Sequence, residues 1–105
     1  MDQKSAAYSD LERFTELSAA LREDATLEQA EKWWTMYQRI EPVVEHHPRT
    51  SKYERDLLRR LRARIGEAIR SVREKHPSNP SVSQARIALS ALQASMERRV
   101  MGLDG

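Results

Sequence analysis

The sequence predicts an all-α protein, a compact bundle of about four helices with the last one offering a face for dimerisation. Three observations carry that expectation. Apolar residues recur at i, i+3, i+4 and i+7 over four separate stretches. Four hydroxyl residues, Ser9, Thr26, Ser51 and Ser81, each stand three positions before a Glu or Gln, which is capping-box spacing. Runs of β-branched residues are absent, and the 4 prolines and 3 glycines leave few breaks. The 105 residues suffice for one domain with a modest core. Charged residues reach 32%, yet the apolar 39% are periodic rather than scattered, so folding is expected over disorder.

The first helix is expected from about Asp10 to Arg22, opened by Ser9 and Glu12. Phe14, Leu17 and Leu21 form its buried stripe. The second runs from about Leu27 to Ile40 behind a Thr26–Gln29 capping box. Leu27, Ala30, Trp33, Trp34, Tyr37 and Ile40 share one broad face. Pro42 disfavours helix at Glu41 and removes a backbone donor. An end near Ile40 or a kink is therefore expected, with an extra turn to His46.

The third helix, 52–75, is the best signed. Ser51 and Glu54 cap it, and Leu57, Leu58, Leu61, Ile65, Ala68, Ile69 and Val72 fall within about 120° of arc. One flank gathers Lys52, Arg55, Arg59, Arg62, Arg70 and Arg73 into a basic ridge roughly 30 Å long at about 1.5 Å per residue. Gly66 lies within this ridge. A helical glycine costs about 1 kcal/mol against alanine. A close helix crossing, tolerance at an exposed site, or the approach of a partner could each account for it.

The polar loop after His76 contains two prolines. The fourth helix is expected over 82–101, with Ser81 and Gln84 as its capping box and Gly102 beyond its end. Ala85, Ala88, Leu89, Leu92, Met96 and Val100 form the main stripe. A thinner stripe of Ile87, Ala91, Ala94 and Met101 lies nearly opposite and is the candidate dimer interface.

Net charge is only +2, but it is split. Residues 1–47 hold 5 basic and 10 acidic side chains, a net of −5, while residues 48–105 hold 13 and 6, a net of +7. The acidic half can pack on the basic half within one molecule or between subunits, or the basic half can meet an external polyanion.

No chemistry-bearing constellation stands out. The 3 histidines lack H-x-x-x-H or H-E-x-x-H spacing, so no metal is expected. There is no G-x-S-x-G, no cysteine and no glycine-rich loop, so neither enzymatic activity nor a cofactor is expected. The lack of cysteine suits a reducing cytoplasm, and neither a membrane span nor a secretory signal is read.

The expected function is docking on a macromolecule. The leading partner is a protein with an acidic surface, met by Lys52, Arg55, Arg59, Arg62, Arg70 and Arg73, because arginine forks suit carboxylates. Trp33 and Trp34 read either as two core rings or with one, Trp33, part-exposed as an aromatic anchor for the partner. The alternative is a regulator that binds DNA or RNA through the same ridge. No strong helix-turn-helix signal supports it, since Pro77-Ser78-Asn79-Pro80 is unlike a tight glycine-containing turn.

Overall fold

The computed structural model describes the backbone of residues 3–102 and the side chains of residues 12–98. Four α-helices and no strands occur among the described residues: α1 Gln3–Ala20, α2 Leu27–His46, α3 Lys52–Arg73 and α4 Pro80–Gly102. Short connections force consecutive helices antiparallel. Each helix packs on its chain neighbours, and α1 closes on α4.

One core joins all four helices. Phe14, Leu17 and Leu21 come from α1 and the residue after it. Trp33, Tyr37, Ile40 and Val44 come from α2, Leu57, Leu58, Leu61 and Ile65 from α3, and Val82, Leu89, Leu92 and Met96 from α4. These are the predicted stripes, apart from Leu27, which is exposed, and Trp34, Ile69 and Val72, which are half-buried. Val100 lies outside the described side chains.

Two of the four capping boxes form. Thr26 Oγ1 accepts from the Gln29 N–H at 3.2 Å, and Gln29 Oε1 accepts from the Thr26 N–H at 2.9 Å. Ser51 and Glu54 make the same reciprocal pair at 3.1 and 2.9 Å. The other two do not stand where the pattern put them. Helix α1 is already running at Gln3, so Ser9 lies inside it. Pro80 opens α4, because its fixed φ and missing N–H suit the first helical position. Ser81 is then helical, and its hydroxyl donates to Glu67 Oε2 at 3.2 Å.

Pro42 neither ends nor divides α2, which continues to His46. Pro42 is exposed, so its ring points away from the core and the Gln38 carbonyl that loses its donor is on the solvent side. Burial of Ile40 and Val44 on either side holds the turn in place. Thr50 reinforces it by donating its hydroxyl to the Val44 carbonyl.

Helix α3 ends two residues before the expected Lys75. Its terminus is a Schellman motif: His76 N–H donates to Ser71 O and Lys75 N–H to Val72 O, both at 3.1 Å. Lys75 sits at φ 57, the left-handed conformation that this motif demands.

Candidate functional site

The basic ridge exists as one face of α3, and it borders a row of acidic side chains on α2. The α2–α3 register is set from within the core, where Tyr37 donates its hydroxyl to the Leu58 carbonyl at 2.8 Å. That register brings Arg55, Arg59 and Arg62 alongside Glu41 and Glu45. Together with Tyr37 and Leu58 they line a shallow cleft. Burial, with the Glu41 carboxylate close by, pushes the Tyr37 hydroxyl well above its ordinary value. Tyr37 is therefore a neutral donor that fixes the cleft floor.

The six ridge residues divide by how their charges are met. Arg62 is held from α2: its guanidinium lies 3.4 Å from Glu41 Oε1 and 5.6 Å from the Trp34 ring centre, above the ring. Arg55 Nε reaches the Glu45 carbonyl at 3.5 Å. Arg59 makes a long 3.7 Å pair with Asp56 on its own helix, with the arginine side chain 78% exposed. Pairs this exposed contribute about 0–1 kcal/mol. Lys52, Arg70 and Arg73 are exposed, with no ion pair among the described residues. The acidic half of the chain thus covers the middle of the ridge, at Arg62, and leaves its two ends open.

Gly66 sits in the ridge between Arg62 and Arg70. A Cβ built there would meet nothing within 4 Å. No helix crosses at this point, which removes close helix packing as the reason for the glycine.

The tryptophans are placed the other way round from the anchor reading. Trp33 is fully buried, and its indole N–H donates to the Ala20 carbonyl at 2.6 Å, tying α2 to the end of α1. It offers nothing to a partner. Trp34 is the half-buried ring, packed 5.9 Å from Tyr37 and covered by Arg62. The phase of the α2 stripe contained this answer. Trp33 falls near the middle of the arc set by Ala30, Tyr37, Ile40 and Val44, and Trp34 falls about 100° away, at its edge.

On α4, Ile87 is 69% exposed and Ala94 is exposed. Ala91 is half-buried and packs against the core, and the Met101 side chain lies outside the described residues. The second stripe therefore survives as a surface feature at two of its four positions. Tyr53 of α3 adds a third exposed apolar side chain on the α3–α4 side of the molecule.

Three buried polar residues carried no functional signal in the sequence. Glu54, besides capping α3, accepts from Ser95 Oγ at 2.9 Å and locks α4 to α3. Asn79 donates Nδ2 to the Ala68 carbonyl at 2.9 Å. Thr50 is the third, through its bond to Val44. All three join elements at the ends of the bundle.

Among the described residues, no group of three or more His, Cys, Asp or Glu side chains is arranged to hold a metal ion, and no helix is long and apolar enough to cross a membrane. No family model, curated protein or solved structure matches this chain.

Proposed function

We propose that this chain is a non-enzymatic docking protein that binds an acidic protein surface through the outer face of α3. The observation that carries the reading is the division of charge along that face. Arg62 is neutralised from within, while Lys52, Arg70 and Arg73 keep their charges unmatched on either side of it. Arg59 and Arg70 are exposed on this face, and the open position at Gly66 lies between them. A partner can approach the helix backbone there without displacing any side chain.

The same geometry favours a protein over a nucleic acid. Glu41 and Glu45 line the cleft with the arginines, and Asp56 lies on the adjoining flank. A continuous phosphate backbone laid along α3 would meet these carboxylates as well as the guanidinium groups. A protein surface can place its own acids over Arg59 and Arg70 and keep neutral or basic groups over Glu41 and Glu45.

The test uses a fluorescently labelled helical peptide rich in Glu with interspersed Lys. The wild-type chain is expected to bind it, and the Arg59→Gln/Arg70→Gln variant to bind at least tenfold more weakly with its circular dichroism unchanged. These two positions are chosen because, among the described residues, neither makes a cross-helix hydrogen bond or ion pair, unlike Arg62. Equal binding by both proteins would remove the ridge from the interface.

A further inference from the structure

We infer that the outer face formed by α4 and the adjoining flank of α3 is a self-association surface, and that two copies pair there antiparallel about an axis passing between Ser90 and Ala91. It rests on the flank of α3 away from the basic ridge and shares with the docking face only the contact between Asp56 and Arg59.

The argument begins with register. Ser81 bonds to Glu67 and Ser95 to Glu54, which fixes α3 and α4 antiparallel. Ile87 is then level with Leu61, Ala91 with Leu57, and Ala94 with Glu54. Ile87, at 69%, is the most exposed large apolar side chain among the described residues, and Tyr53, at 56%, is second. Both lie on this side of the molecule. Ile87 and Ala94 are about 10 Å apart along the helix, with Ala91 near the midpoint at about 1.5 Å per residue.

A two-fold axis between Ser90 and Ala91, perpendicular to the helices and lying in the plane of the face, sets each Ile87 opposite the Ala94 of the second copy. The small side chains at 91 and 94 let the two α4 helices approach closely. The same axis is level with Leu58, and it sets Arg60 opposite Asp56 of the second copy, and the reverse. Arg60 is exposed and has no ion pair among the described residues, and Asp56 is engaged only by the 3.7 Å contact with Arg59. The face thus sets a large apolar side chain against a small one and opposite charges against each other across the axis, which a closed dimer requires. A second copy is therefore the occupant assigned to it. With only two large apolar side chains per copy, the association is reversible rather than obligate.

Light scattering coupled to size exclusion tests this with the full chain. The mass is expected to rise from that of the 12.2 kDa chain toward twice that value across the micromolar range. Ile87→Arg, which does not touch the core, is expected to stay at one chain mass with unchanged helicity. Arg60→Asp is expected to weaken association about tenfold, and Arg60→Asp/Asp56→Arg to restore it. A wild-type mass of one chain up to several hundred micromolar would overturn the proposal, as would an Ile87→Arg variant that still dimerises. Failure of the charge swap to restore association would overturn the antiparallel register.

Discussion

Gly66→Ala is expected to stabilise the protein. Gly66 lies near the middle of α3, more than a turn from either end, and its backbone is helical. Glycine there costs about 1 kcal/mol relative to alanine, because the unfolded chain loses more freedom on entering the helix. In many proteins this gain is cancelled by a clash, but a Cβ at position 66 meets nothing within 4 Å. It gains no packing either, since the site is exposed. The full propensity difference should therefore appear, about 1 kcal/mol, or a rise in melting temperature of roughly 4–8 °C for a domain of this size. Urea unfolding followed by circular dichroism should show a higher midpoint with an unchanged slope. An unchanged or lower midpoint would refute the placement of Gly66 on an open helical face. The variant also bears on function. If a partner's backbone settles against Gly66, the stabilised protein should bind the acidic peptide more weakly than wild type does.

Three further outcomes can be checked on the same instruments. Leu61→Ala and Ile65→Ala, both at fully buried positions, should each destabilise by about 2–4 kcal/mol, and a loss below about 1 kcal/mol would mean the core-facing arc of α3 is misplaced. Lys75→Gly should stabilise by about 1 kcal/mol, because Lys75 holds a left-handed φ of 57 that a side chain disfavours and glycine does not. Tyr37 supplies a pH signature. Its folded-state value is raised above the ordinary 10.0, so its contribution is intact at neutral pH and is lost as pH climbs through and beyond that value. Alkaline unfolding monitored by tryptophan fluorescence should therefore be less steep in Tyr37→Phe, which removes the ionising group. An identical alkaline limb in both proteins would contradict the buried, hydrogen-bonded placement of the hydroxyl.

Much of the fold was legible because amphipathic periodicity reports burial directly. Phe14, Leu17 and Leu21, and the Leu57–Ala68 arc, follow from spacing alone, and α3 shows its start at Ser51 and its charged flank without any tertiary information. Helix starts were less legible. The spacing that caps α2 and α3 also occurs at Ser9 and Ser81, inside helices that begin earlier, and only the preceding residues distinguish the cases. At Ser81 the neighbouring Pro80 is a helix opener as well as a loop residue. At Pro42 the extra turn to His46 is present, but as a continuation of α2, because the residue's effect on a helix depends on which way its ring faces. Helix α3 ends two residues before the expected Lys75, because a left-handed conformation is not written in a lysine. As for the site, the ridge was readable as a row of arginines. Its partial neutralisation by Glu41, the cover of Trp34 by Arg62 and the open space at Gly66 were not. Those depend on the α2–α3 register, set by the buried Tyr37–Leu58 bond, and no property of either helix alone encodes it.

The central claim is that the α3 face recognises acidic protein rather than phosphate. Fluorescence anisotropy across a salt series tests it most directly, with the labelled Glu-rich peptide beside single- and double-stranded DNA and RNA of matched charge. The account predicts micromolar binding of the peptide, a loss of affinity with salt that reflects a few ion pairs, and weaker binding of every nucleic acid at each salt concentration. Tighter binding of a nucleic acid, with a salt slope corresponding to several phosphates, would contradict the account and make the ridge a nucleic-acid interface.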